Sequence, residues 1–142
     1  MKTPPKMAKA ARATRALAAP FVLLLAACSE APPEAQVVAD QFMRAYFVED
    51  NMTGATRLAS GVAKAGLEGL LREIEAAGAK EPAKSKPQVK VAFVKALPVS
   101  ADVVDYVYRV DSETPGVEPI TAKLRLNRQG NTWSVSEFVQ SP

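Results

Sequence analysis

Histidine is absent from this chain of 142 residues, and cysteine occurs once, at Cys28. Without imidazole, the chain has no Ser–His or Cys–His catalytic pair and no histidine-containing metal site. A single cysteine also excludes an intramolecular disulfide. No glycine-rich loop with phosphate-binding spacing precedes a helical pattern, and the carboxylates lack the spacing of a metal-binding loop. We therefore expect neither a metal nor a cofactor.

Also missing is a hydrophobic run long enough to span a membrane. The apolar stretch 16–27 has twelve residues and is interrupted by Pro20, whereas a spanning helix needs roughly 20. Five basic residues precede it: Lys2, Lys6, Lys9, Arg12 and Arg15. A basic start, a short apolar segment and small residues before a break are typical of a secretory signal peptide, here residues 1–27.

The residues Leu25-Ala26-Ala27-Cys28 resemble the lipobox of bacterial lipoproteins. That resemblance implies cleavage before Cys28, lipidation of its thiol, and further acylation of its amine with chains such as palmitate. Two or more acyl chains anchor a protein stably in a membrane. An unlipidated cleaved signal and a free thiol are the alternatives. Ser29 in place of an aspartate favours the outer membrane, facing the periplasm, in the bacterial cell envelope.

Removal of the signal changes the charge balance of the chain. The whole sequence carries eighteen basic and fifteen acidic residues. Five of the basic residues lie in the signal, which leaves thirteen against fifteen and a net charge of −2. Nucleic-acid binding requires a basic surface, so we expect no nucleic-acid partner. The remaining 115 residues fit one small domain.

The rest of the chain divides into a tether and a domain. Residues 28–34 hold the cysteine and a Pro-rich tether, and residues 35–142 form the domain. Apolar residues at helical spacing predict a helix over 35–49, a short second helix from a cap at Asn51 to Leu58, and a third from Ser60 to Gly78. Glu68 and Arg72 are expected to pair on the third helix. A polar linker, 79–87, follows.

After the linker the apolar pattern alternates with period two. It predicts four strands, over 88–97, 102–111, 120–127 and a last one through Trp133. The predicted fold class is therefore α+β, with N-terminal helices packed on one face of a four-stranded antiparallel meander. On the outer face the charged residues are Asp105, Arg109, Lys123 and Arg125. They favour a wet surface with cross-strand ion pairs, and a monomer or weak dimer.

Several short motifs resemble the nuclear transport factor 2-like superfamily. They are Val37-Val38, Phe42-Met43, Glu49-Asp50 and the closing Gly130-Asn131-Thr132-Trp133-Ser134-Val135. The chain looks closest to small bacterial lipoproteins that carry a domain of unknown function in this superfamily. The resemblance implies a curved sheet that wraps the helices into a cone, which in some members binds a small molecule. Enzymes of the superfamily place an acid or base inside that cone.

The inward positions supply the candidate site residues. The candidate ligand-binding residues are Tyr46, Tyr106, Tyr108 and Trp133. Strict alternation also turns Lys95 and Glu137 inward. Lys95 then snorkels at a strand end. A bulge near Ser136 would instead turn Glu137 outward and Phe138 inward, and we favour that bulge. Asp40 and Asp50 are interpreted as a solvated helix position and a cap.

The leading functional hypothesis is a non-catalytic, membrane-anchored envelope lipoprotein that binds a small apolar ligand or an envelope protein. One alternative is a cone-type enzyme of the isomerase or dehydratase kind, with Glu137 or a tyrosine as acid or base. Another is a structural accessory subunit whose cone is filled. Neither the ligand nor the partner is identified by any motif.

Overall fold

The computed structural model describes residues 30–78 and 88–142, so the predicted signal peptide, Cys28 and the 79–87 linker lie outside the described residues. The helices are α1 (Pro33–Met43), a π-helical segment (Arg44–Val48), α2 (Met52–Arg57) and α3 (Gly61–Ala76). The strands are β1 (Val89–Ser100), β2 (Val103–Ser112), β3 (Ile120–Gln129) and β4 (Thr132–Ser141). The strands pair in the order β1-β2-β3-β4, each antiparallel to the next. The predicted α+β meander is thus confirmed.

Helix α1 begins at Pro33, inside the segment predicted to be tether. Proline suits the first helical turn, where its missing N–H has no partner to lose. The helix buries Ala35, Ala39, Phe42 and Met43, a spacing that forms one apolar face. It continues into the π-helical segment, where the Glu49 amide donates to the Arg44 carbonyl at 2.9 Å. Such wider turns occur frequently at functional sites.

The next two helices begin with different caps. Asn51 caps α2 as predicted, its side-chain oxygen accepting from the Gly54 amide at 2.8 Å. Ser60 makes no side-chain cap for α3, and its hydroxyl instead hydrogen-bonds that of Ser134 at 2.8 Å. The chain enters α3 through Gly61 at φ +53°, a conformation that glycine adopts without a steric penalty.

The predicted Glu68–Arg72 ion pair on α3 is wrong. The Arg72 Nε donates to the carbonyl oxygen of Glu68, and Lys64 approaches the Glu68 carboxylate at 3.9 Å. Only Ala63 and Leu67 of the helix are buried, whereas Leu70 and Ile74 are over one-third exposed. The apolar stripe of α3 therefore only partly contacts the core.

Two bulges set which residues of β1 face the core. Phe93 pairs with Tyr108, but Lys95 pairs with Val107, so Val94 is an extra residue in the strand. A second register shift lies between Pro98 and Ser100. An extra residue reverses the alternation that follows it. The expectation that Lys95 points inward is therefore wrong, since Lys95 is exposed on the outer face, as is Leu97.

In β4 the bulge falls where it was predicted. Leu126 pairs with Val135 and Arg125 with Glu137, which leaves Ser136 as the extra residue. Its hydroxyl donates to the Arg125 carbonyl at 3.1 Å. Phe138 consequently turns inward opposite Leu124, and Glu137 turns outward.

The connection between α2 and α3 hydrogen-bonds to the outer edge of β4. The Val135 amide donates to the Leu58 carbonyl at 2.9 Å, and the Ser60 amide donates to the Val135 carbonyl at 2.8 Å. Ala59 thereby forms a parallel bridge with Val135. This contact positions α3 alongside β4. The outer edge of β1, the other edge strand, pairs with no other strand among the described residues.

Candidate functional site

The four predicted site residues do not converge on one point. Tyr106, Tyr108 and Trp133 are at most 6% exposed, whereas Tyr46 is half-buried. Tyr106 and Tyr108 lie side by side on the inner face of β2. Trp133 lies at the β3–β4 turn, with the Arg128 guanidinium 5.6 Å from its ring centroid. Only the two β2 tyrosines are thus brought together.

Tyr108 binds two polar side chains of α1, one of which, Asp40, was predicted to be a solvated helix position. Its hydroxyl donates to Asp40 Oδ1 at 2.6 Å and accepts from Gln36 Nε2 at 2.9 Å. Gln36 Nε2 also donates to Asp40 Oδ1 at 2.9 Å. Burial, together with the hydrogen bond to Asp40, raises the pKa of Tyr108 above its ordinary value. Asp40 is therefore a partner of the buried tyrosine as well as a surface residue.

Tyr106 differs from its neighbour because its buried hydroxyl has no hydrogen-bond partner among the described residues. Burial, followed by the charge of Asp40, raises the pKa of Tyr106 to about 12. The phenol is therefore neutral at physiological pH and is a potential donor. Its ring faces Phe93 of β1 with centroids 6.4 Å apart.

A groove of about 420 Å³ lies between α3 and β4. Its lining comprises Tyr46, Val62, Ala63, Gly66, Leu67, Leu70, Glu137, Phe138, Val139 and Gln140. Most of these side chains are apolar, and Val62 and Val139 are 76% and 57% exposed. Small-molecule sites are commonly concave and apolar, with a few polar groups at fixed positions. Of the predicted site residues, Tyr46 contributes to this groove.

An aromatic cluster forms one wall of the groove. Phe138 meets Tyr46, Phe42 and Phe47 edge-on, with centroids 4.8, 5.1 and 6.2 Å apart. Tyr46 projects from the π-helical segment, and its hydroxyl accepts from Gln140 Nε2 at 3.1 Å. Edge-to-face contacts between rings fix their relative orientation. Tyr46 of the π-helical segment and Phe138 of β4 therefore hold each other in position on this wall.

Glu137 belongs to the outer face of the sheet as well as to the groove. Its side chain is 55% exposed, and its Oε1 lies 3.7 Å from Arg125 Nη1. Arg125 donates to Asp105 through Nε at 2.7 Å and Nη2 at 2.9 Å. These hydrogen bonds and the nearby negative charges raise the pKa of Arg125. The predicted cross-strand pairing of Asp105 with Arg125 is confirmed.

The described residues contain no group of three or more His, Cys, Asp or Glu side chains placed to hold a metal ion. Within 30–78 and 88–142, no helix is long and apolar enough to cross a membrane.

No protein-family model and no curated protein sequence matches the chain. Among solved structures, it is similar to a Thiobacillus denitrificans protein assigned as a calcium/calmodulin-dependent protein kinase type II association domain. The match has a TM-score of 0.54 and 14% sequence identity, and covers 80% of this chain and 98% of that one. Three helices followed by an open four-stranded antiparallel sheet give this chain an α+β fold, consistent with the nuclear transport factor 2-like fold of that neighbour.

Proposed function

We propose that this protein is a lipid-anchored, non-catalytic component of the bacterial cell envelope whose domain binds a small apolar ligand in the α3–β4 groove. The groove is the observation that carries the proposal, because it combines about 420 Å³ of space with exposed apolar walls. Water in contact with such walls is released when an apolar ligand binds, at a gain of roughly 25 cal/mol per Å² buried.

The anchor rests on the sequence Leu25-Ala26-Ala27-Cys28. Its test is metabolic labelling with an alkyne analogue of palmitate, followed by detergent phase partitioning. We expect the wild-type chain to label and to enter the detergent phase, and Cys28→Ser not to label. A Cys28→Ser protein that still labels contradicts the anchor without affecting the groove.

The absence of catalysis is inferred from the surroundings of the two candidate acid–base groups. Glu137 is largely exposed beside Arg125, and it has no apolar enclosure around its carboxylate. Tyr108 has a raised pKa, so its phenol remains protonated at neutral pH and is a poor base. Neither group is therefore prepared to act as a general base.

The groove is tested with a neutral apolar fluorophore, N-phenyl-1-naphthylamine, and the full chain carrying Cys28→Ser, which has no acyl chain to compete for the groove. Gly66 lies on the groove wall, and a Cβ there meets no atom within 4 Å. Gly66→Phe is therefore designed to place a ring at the groove wall from a position with room for its Cβ. The matched control is Gly69→Phe, on the same helix, equally open, and outside the groove lining.

We expect Gly66→Phe to weaken fluorophore binding at least tenfold and Gly69→Phe to leave it unchanged. Equal binding by both variants would place the fluorophore elsewhere and contradict the proposal. If the wild-type chain binds no fluorophore, while a photo-crosslinker at Val62 captures an envelope protein in cells, the occupant is a protein partner instead.

A further inference from the structure

The groove has a charged end as well as an apolar body. Glu137 is the one carboxylate among its lining residues, and Gln140 adds an amide whose oxygen is an acceptor. The nearest charges on α3, Lys64 and Glu68, pair with each other at 3.9 Å. The polar character of the groove is therefore set by Glu137.

Arg125 compensates the charge of this carboxylate only in part. Its guanidinium makes two short hydrogen bonds to Asp105, of 2.7 and 2.9 Å, and reaches Glu137 only at 3.7 Å. A bidentate pair of this kind is the stronger and more oriented of the two contacts. Asp105, Arg125 and Glu137 together carry one net negative charge. A cation beside Glu137 would neutralise that charge.

We propose that the natural ligand of the groove is a single-chain amphiphilic amine, with its alkyl chain along the apolar walls and its ammonium group at Glu137. The proposal rests on the proposed function, because it assigns the ligand class of the same groove. An aminophospholipid carries the same ammonium but also a phosphate, which Glu137 and Asp105 repel. Arg125 offsets that repulsion only in part, because its guanidinium is hydrogen-bonded to Asp105.

The experiment compares three probes with the same alkyl chain: octylamine, octanol and octanoate. Each displaces N-phenyl-1-naphthylamine from the full chain carrying Cys28→Ser, at neutral pH and low salt. A charge pair at a partly exposed position is worth at most about 1 kcal/mol, or roughly fivefold in affinity. We therefore expect octylamine to bind about fivefold more tightly than octanol, and octanoate to bind more weakly than both.

Two variants assign the preference to one carboxylate. Glu137→Gln is expected to abolish the preference, so that octylamine and octanol bind with equal affinity. Glu113→Gln is the matched control, because Glu113 also faces a basic residue, Lys90, at 3.8 Å but lies outside the groove lining. It should preserve the fivefold preference. Raising the salt to 1 M should shrink that preference, because salt screens exposed charges.

The outcomes separate this inference from the proposed function. Octanol and octylamine binding equally to the unaltered groove would overturn the amine assignment and leave the apolar site intact. Failure of all three probes to displace the fluorophore would contradict the proposal that the groove binds apolar ligands. Lysophosphatidylethanolamine binding as tightly as octylamine would overturn the exclusion of phosphate and assign the groove to membrane lipid.

Discussion

Glu137 and Phe138 are neighbours whose contributions to stability should differ sharply. The bulge at Ser136 turns Phe138 into a cluster of three other rings and leaves Glu137 more than half exposed. Phe138→Ala is expected to cost about 3 kcal/mol, because it removes a ring from a packed cluster. Glu137→Gln should change the free energy of unfolding by less than about 0.5 kcal/mol. Urea denaturation measures both, and the opposite ranking would contradict the bulge.

The two β2 tyrosines provide a second comparison, because the same atom is deleted from each. Tyr108→Phe removes the hydroxyl that bonds Asp40 and Gln36, and should cost about 1–2 kcal/mol. Tyr106→Phe removes a hydroxyl with no partner among the described residues. Its loss should leave the unfolding free energy unchanged or raise it slightly. A large loss from Tyr106→Phe would mean that an ordered water or ligand satisfies the hydroxyl.

The same tyrosines predict how stability changes in alkali. Folding raises the pKa of Tyr106 from 10.0 to about 12, and it raises that of Tyr108 further. The folded state therefore holds these protons more tightly than the unfolded state does. This stabilisation is fully present below pH 10 and is lost as the pH rises towards 12. In Tyr106→Phe the decline of the unfolding free energy across that range should be shallower than in the wild type.

At the scale of single elements, two glycines at α3 should respond oppositely to alanine. Gly69 lies within the helix, with no atom within 4 Å of an added Cβ, so Gly69→Ala should stabilise the protein by about 1 kcal/mol. Gly61 has φ +53° at the helix entry, where a side chain is strained by about 1–2 kcal/mol. Thermal denaturation should show Tm rising for the first variant and falling for the second.

The elements were predictable where the information was local. The apolar spacing that predicts each helix and strand lies within a single segment. The bulge at Ser136 was predictable because strict alternation would have buried the charged Glu137 and exposed the apolar Phe138. The bulge at Val94 gave no such signal, because Phe93, Lys95 and Leu97 continue a plausible alternation. Its position depends on the pairing with Tyr108 and Val107.

The candidate site was less predictable, because its contacts join distant segments. Asp40 meets Tyr108 across 68 residues of sequence, and no pattern around Asp40 marks it as a partner. The groove exists because Val135 bonds Leu58 and Ser60, which sets α3 beside β4. The sequence indicated that Tyr46 and Phe138 face inward, but not that both would line a groove between α3 and β4.

For the molecule as a whole, the described domain should fold without its N-terminal segment. Ala31 packs against the core and α1 begins at Pro33, so a fragment starting at Glu30 retains the described contacts. All thirteen remaining basic and fifteen acidic residues lie in that fragment. We expect a cooperative unfolding transition and migration as an acidic protein in isoelectric focusing. Aggregation of the fragment, or a basic isoelectric point, would contradict this.

The two edges of the sheet have unequal consequences for self-association. Growth of an extended intermolecular sheet needs two open edges on every molecule, one to accept a neighbour and one to present to the next. Here β4 is occupied at Val135 by the α2–α3 connection, and β1 is interrupted by two bulges and by Pro98, which has no amide proton to donate. Pairing along β1 is therefore interrupted at its bulges, and pairing along β4 is blocked at Val135. On the proposed membrane anchor, neighbouring molecules would thus meet only interrupted strand edges, which oppose the growth of a fibre.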